Sequence, residues 1–197
     1  MKTKTKALAL ALCAVLLVVS TVFVTMAYLT SKTDVVTNTF TVGKVTITLD
    51  EAKVTADGEK VQGADRVKEN KYHLIPGHFY VKDPTIHVAN GSEECWLFVK
   101  VENGLANAEA SGATSIESQM ANKGWTKVEG TDVYADATKQ AAGANVIVFD
   151  SFTIAGSTDV SLYEDAKIIV TAYAIQADGF ASAAEAWTIA GGEAKAK

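Results

Sequence analysis

Cysteine is almost missing from this chain. There are two, and Cys13 falls in an N-terminal apolar run, so Cys95 stands alone in everything that follows. No intramolecular disulfide can staple the remainder, and an ordinary hydrophobic core must hold it. Cys95 opens the run Cys95-Trp96-Leu97-Phe98-Val99, where it reads as a small buried hydrophobe and not as a reactive thiol. Basic charge is also short. Lys and Arg number 18 against 23 Asp and Glu, for a net charge of −5. An acidic surface argues against nucleic acid, whose phosphates demand a basic footprint, and against docking on anionic lipid.

Catalytic signatures are missing as well. The three histidines, His73, His78 and His87, are scattered, and no H-E-x-x-H occurs. There is no G-x-S-x-G elbow, no glycine-rich phosphate loop and no D-x-[DN]-x-[DN]-G calcium loop. No catalytic, cofactor-binding or metal residue is therefore assigned, no cofactor is expected, and the chain is not read as an enzyme. No segment repeats at a fixed period.

What is present begins with a leader. Lys2, Lys4 and Lys6 precede an unbroken run of Ala, Leu, Val and one Cys from Ala7 to Val19. Thr25-Met26-Ala27 then places small residues three and one before a cut. Residues 1–27 read as a signal peptide cleaved between Ala27 and Tyr28, which predicts a secreted protein. The rival is an uncleaved membrane anchor, because the apolar stretch runs on to Val24 and approaches spanning length. Cleavage removes three lysines and takes the net charge from −5 to −8.

After the cut, residues 28–39 form a Thr-rich extended arm in which Tyr28, Leu29, Val35 and Val36 are the residues able to fill a groove. The alternative is a frayed terminus. Phe40 to Leu49 alternates, with a change of phase at Gly43 that predicts a β-bulge. Residues 50–71 are polar, with turn signals at Asp57-Gly58 and Gln62-Gly63. Pro76-Gly77 predicts a tight turn. Phe79 to Ala89 predicts a strand interrupted at Asp83-Pro84, and hence an edge strand or a second bulge. Asn90-Gly91 predicts a hairpin.

Cys95 to Glu102 is the next strand, with Cys95, Leu97, Val99 and Val101 on one face. Trp96 and Phe98 make its other face apolar too, so it is either central with both faces covered or meets a partner. Thr114 to Glu117 has capping-box spacing, with Gly124 as the stop. Trp125–Val128, Val133–Tyr134 and Val146–Ile154 resume strand patterning. Lys167 to Ile175 is apolar on both faces, as a central strand would be. Ser182 to Glu185 opens a short helix that packs Trp187 inward and ends at Gly191-Gly192. The count favours a mainly β, antiparallel, jelly-roll-like β-sandwich with two short helices behind an N-terminal signal helix. The expected organisation is signal peptide 1–27, N-terminal arm or donor strand 28–39, β-sandwich 40–190 and flexible tail 191–197. That tail carries no L-P-x-T-G or hydrophobic run, so covalent wall anchoring is not expected.

Several segments resemble the TasA/camelysin family of exported proteins. Thr25-Met26-Ala27-Tyr28-Leu29-Thr30 resembles the family's small-x-Ala cut site followed by an aromatic. Phe40-Thr-Val-Gly43-Lys-Val45-Thr-Ile47 resembles its first core strand. Pro76-Gly77, Asp83-Pro84-Thr85 and Asn90-Gly91-Ser92 resemble its second region, and Ile169 to Phe180 with Ala184-Glu-Ala-Trp187 its closing segment. The resemblance implies an extracellular jelly roll processed by a SipW-type signal peptidase. It also implies a fibre-forming biofilm-matrix subunit whose freed arm inserts as a strand into the next copy. The expected partners are therefore the chain itself and that peptidase, with no nucleic acid, and with a membrane only through the uncleaved leader. The camelysin branch implies a cell-surface metalloendopeptidase instead, from which this sequence departs by lacking a zinc motif. A monomeric surface binding module stays open as a third reading.

Overall fold

The computed structural model describes Thr3, Lys6, residues 11–16 and residues 44–190. The chain divides into two compact units, residues 1–41 and 42–197. In the first, the described residues are helical, and Leu12, Val15 and Leu16 are exposed. Among the described residues, no helix is long and apolar enough to cross a membrane.

The second unit is mainly β. Its strands are β1 (Ile47–Asp50), β2 (Phe79–Val81), β3 (Thr85–Val88), β4 (Cys95–Asn103), β5 (Trp125–Lys127), β6 (Val133–Asp136), β7 (Asn145–Ile147), β8 (Ser151–Thr153) and β9 (Ile168–Gln176). They form three antiparallel sheets, ordered β1-β3-β7, β2-β8 and β5-β6-β4-β9. Helix α1 (Ile116–Asn122), a 3₁₀ turn (Val160–Tyr163) and helix α2 (Ala183–Ala190) complete it.

Strand β4 organises the packing. Cys95, Leu97 and Val99 enter a main core with Tyr80, Ile86, Val88, Phe149 and Phe152. Trp96 and Phe98, on the opposite face, enter a second core with Val133, Ala135, Ala186 and Trp187. The Trp187 ring lies 4.8 Å from Phe98 and 5.5 Å from Tyr173. The apolar second face of β4 is thus covered from within the chain, by α2. Ser182 caps that helix as the capping box predicts, while Glu185 reaches one residue further back than the box requires. Ser182 Oγ accepts from Glu185 N at 3.2 Å, and Glu185 Oε2 reaches back to Ala181 N at 2.7 Å.

Other expectations need correction. The first capping residue is Ser115, not Thr114. Its Oγ accepts from Ser118 N, its own N–H donates to Gly112 O at 3.0 Å in place of a Glu117 carboxylate, and the Glu109 carboxylate accepts from Ile116 N at 2.7 Å. Asn90-Gly91 does not make a hairpin. Gly91 has φ +84°, but the turn carries the chain from β3 to β4, which belong to different sheets. Asp83-Pro84 marks neither an edge strand nor a bulge. It is a crossing from β2 to β3, and β3 is central in its sheet. Pro84 has no N–H to lose there, and its carbonyl accepts from Val148 N at 2.8 Å. Pro76-Gly77 is the expected tight turn, closed by His78 N donating to Ile75 O at 3.1 Å, with Gly77 at φ +76°.

Two glycines separate backbone strain from crowding. Gly58 and Gly91 both sit near φ +80°, yet a Cβ on Gly58 would lie 2.5 Å from Tyr80 Cδ1, while one on Gly91 meets nothing. Gly91→Ala should cost about 1–2 kcal/mol, the left-handed penalty alone. Gly58→Ala should cost clearly more, because Tyr80 is fully buried and cannot retreat. Urea midpoints of the two variants check this; equal losses would contradict it.

Candidate functional site

Strand β9 is, with β4, the longest strand among the described residues, yet it is an edge. Among the described residues it pairs with β4 alone. Burial on both faces misleads here: one face of β9 lies on the main core and Tyr173 and Ile175 of the other pack in the second core with α2, although no described strand lies beyond it. The hydrogen-bond phase shows which groups are left over. Gly104 N donates to Lys167 O and Ala177 N to Glu94 O, each at 2.8 Å, at the two ends of the ladder. Antiparallel pairing alternates, so Ile168, Val170, Ala172, Ala174 and Gln176 turn their N–H and C=O groups away from β4. No described residue bonds to them.

Strand β1 is the facing edge. It comes within 8 Å of β9 at Cα, but no backbone hydrogen bond joins the two. Ala89 N donates to Thr46 O at 2.9 Å, which sets the phase and turns the backbone of Ile47 and Leu49 outward. The same residues mark an unfinished core. Val45, Ile47 and Leu49 on one side and Ile168, Val170, Ala172 and Ala174 on the other pack on the main core while only partly buried.

At the Ile168 end this seam widens into a groove of 780 Å³. Leu49, Leu74, Leu105, Phe152 and Val170 line it, with Tyr72 and Tyr163. Its charged lining mixes Lys68, Lys71 and Lys167 with Glu69, Glu164 and Asp165. One wall is a strap, residues 66–72, from the long polar connection between β1 and β2.

Three contacts fix the strap. Backbone bonds of 2.8 Å run both ways between Glu51 and Val67. The Asn70 side-chain amide imitates a peptide, donating to Ala52 O at 2.8 Å and accepting from Val54 N at 3.0 Å. Arg66 donates to the Asp50 carboxylate, to Asp83 O at 2.9 Å and to Thr85 Oγ1 at 2.7 Å. Beneath lies a buried ion pair, Lys82 Nζ to Glu51 Oε2 at 2.5 Å, with side chains 10% and 6% exposed. Tyr72 donates to Val81 O at 3.1 Å. Burial and the nearby charges of Glu51 and Asp83 push its phenol well above the usual range.

His87 sits beside this clasp with an acceptor on each ring nitrogen, Asp50 Oδ1 at 2.9 Å and Asn145 Oδ1. Burial opposes its charge, but the bonds to Asp50 and Asn145 and the Asp50 carboxylate outweigh burial and raise its pKa. Burial likewise works against Asp50, and Arg66 and His87 outweigh it, so its pKa falls.

The histidines do not converge on one centre. His73 faces Asp57, His78 Nε2 meets Asp57 O at 2.8 Å, and His87 belongs to the clasp. Among the described residues, no group of three or more His, Cys, Asp or Glu could hold a metal ion. Cys95 is fully buried, and burial with the Glu94 and Asp136 charges pushes its thiol up to about 11. The cleavage pair Ala27 and Tyr28, the arm positions Leu29, Val35 and Val36, and Gly43 lie outside the described residues. Pro76, Gly77, Pro84 and Gly91 are turn and crossing residues. The strap, its anchors and the β9 edge were not legible in advance, since residues 50–71 carry no period and an edge leaves no mark in composition.

Lys82→Met should cost about 3–5 kcal/mol by leaving Glu51 buried and unpaired, while Lys82→Met with Glu51→Leu should be close to neutral. A double-mutant cycle by urea denaturation checks it. His87 adds a pH dependence. Its raised pKa stabilises the fold fully below its unfolded value of about 6.5, and this is lost as pH rises through the folded value. The stability gap between wild type and His87→Gln should therefore be widest in acid and close with rising pH.

No family model, no curated protein and no solved structure matches this chain.

Proposed function

We propose that this chain is an exported structural protein, a fibre-forming subunit of an extracellular matrix. In this reading its sheets are a jelly-roll-like sandwich with one strand missing, and the arm of a second copy supplies that strand. The observation that supports it is the unfinished side of the main core. Val45, Ile47, Leu49, Ile168, Val170, Ala172 and Ala174 are packed but only partly covered, beside a nine-residue edge whose alternate, outward-turned backbone groups bond no described residue. A strand laid there gains affinity from main-chain bonds and register from alternate side chains. Edges of that length are normally short, charged or covered in proteins that stay monomeric. The opposite edges, β5 and β7, have three residues each.

A head-to-tail contact of this kind does not close on itself and so builds a filament. Cleavage between Ala27 and Tyr28 by a SipW-type peptidase frees the arm, which couples export to assembly. The expected net charge of −8 keeps subunits apart until a specific edge contact forms.

Electron microscopy of the protein beginning at Tyr28 tests this. Filaments are expected, and a folded extension fused ahead of Tyr28 should abolish them. If both forms stay monomeric at high concentration, the reading fails.

A further inference from the structure

We propose that Lys82 and Asn70 are the two ends of an intramolecular isopeptide bond that the folded chain makes by itself. Lys82 Nζ attacks Asn70 Cγ, Glu51 moves the protons, and ammonia leaves. Cys95 is the one cysteine among residues 44–190, so no disulfide ties this unit together. The amide would be its covalent tie, joining the strap to the segment after β2. The proposal is independent of assembly, and its failure leaves the fibre reading standing.

Glu51 is the centre of the site. Its Oε2 accepts from Lys82 Nζ at 2.5 Å, and its Oε1 accepts from Asn70 Nδ2 at 2.9 Å. Amine and carboxamide thus lie on the two oxygens of one carboxylate. An ion pair accounts for the first contact and not for the second. Glu51 and Lys82 are 5% and 9% exposed, and Asn70 is half-buried. Tyr72 and Phe152, with rings 5.2 Å apart, line the same groove as all three. Apolar surroundings favour the exchange of an ammonium and a carboxylate for a neutral amine and a neutral acid, and the neutral amine is the nucleophile. The carboxamide is held for attack, since Oδ1 accepts from Val54 N at 3.0 Å and Nδ2 also donates to Ala52 O at 2.8 Å.

Every proton in the step has a donor and an acceptor in place. Glu51 takes one proton from the Lys82 ammonium, and the freed amine attacks Asn70 Cγ. Negative charge builds on Asn70 Oδ1, where the Val54 N–H already donates. Glu51 hands its proton to Nδ2, the Cγ–Nδ2 bond breaks, and ammonia leaves by the groove that Glu51, Asn70 and Lys82 line. Nζ then sheds a second proton to Glu51. The carboxyl keeps it, because with the cation consumed a lone carboxylate there would be a buried, unpaired charge. One C–N bond replaces another, so no oxidant, reductant or co-reactant is consumed. The structure holds the open form. Closure takes Nζ from Oε2 to the face of Cγ and gives up the Nδ2 bond to Ala52 O. Because both groups are already gathered on Glu51, the step is unimolecular.

Mass spectrometry of the full chain, purified folded and then digested with trypsin, tests this. Wild type should be lighter than its sequence by one ammonia. The tryptic peptide 69–71 should emerge joined to residues 72–100, uncut after Lys82. Full mass in folded wild type would overturn the proposal. So would a succinimide at Asn70, which loses the same mass but leaves Lys82 open to trypsin and joins no peptides. Lys82→Arg keeps a cation beside Glu51, and Glu51→Gln keeps the shape of the side chain; both should retain the full mass. A joined peptide at wild-type yield in Glu51→Gln would overturn the role given to Glu51. Should that variant unfold, Glu51→Asp, whose carboxyl stands back from both nitrogens, should close at least about tenfold more slowly than wild type, and equal rates would overturn the same role. The close-to-neutral exchange of Lys82 and Glu51 for Met and Leu describes the open chain, and closed wild type should outlast that variant in urea.

Discussion

The ladder between β4 and β9 holds the molecule's two cores on one frame. Its nine paired positions run from Cys95 opposite Gln176 to Asn103 opposite Ile168. Alternation sends Cys95, Leu97 and Val99 into one core and Trp96 and Phe98 into the other, so neither core can shift register without the other. A slip of one residue would put Trp96 and Phe98 where Leu97 and Val99 belong. The same ladder determines which backbone groups of β9 are spent and which are left facing outward.

Around that frame, polar chemistry is concentrated where the chain makes its longest excursion. The connection from β1 to β2 has little apolar content, so it is held by directed bonds. Arg66 gathers Asp50, Asp83 and Thr85, and Asn70 acts as a stand-in peptide for Ala52 and Val54. The buried Lys82–Glu51 pair is weak evidence for stability, because desolvation offsets most of its attraction. Its value lies in geometry: it joins β1's continuation to the segment after β2 at a single point beneath the strap.

Patterning revealed the elements and hid their arrangement. Alternation was enough to find β4, β5, β6 and β9, and the Ser182–Glu185 spacing was enough to find α2. These are local signals, written in residues two to four positions apart. Asn90-Gly91 and Asp83-Pro84 announced turns correctly but not where the chain went next, because a turn dipeptide fixes φ and not the sheet that receives the following strand. Strand β9 was read as central from its composition. Burial of both faces is common to a central strand and to an edge that sits between a core and a helix, so composition cannot separate them. The clasp was invisible because Arg66, Asn70, Glu51 and Lys82 meet through tertiary packing across a polar stretch with no period.

The seclusion of Cys95 has a practical side. Within residues 44–190 it is the sole sulfhydryl, it is fully buried, and burial with the Glu94 and Asp136 charges raises its pKa to about 11. Oxidants and alkylating reagents act on the thiolate and need access to it, so this sulfur is closed to both. In a chain beginning at Tyr28, which lacks the exposed Cys13, a fluorophore or spin label placed on an added surface cysteine would report from that position alone, against a silent native background. Distances within the folded domain could then be measured one site at a time, without first replacing Cys95.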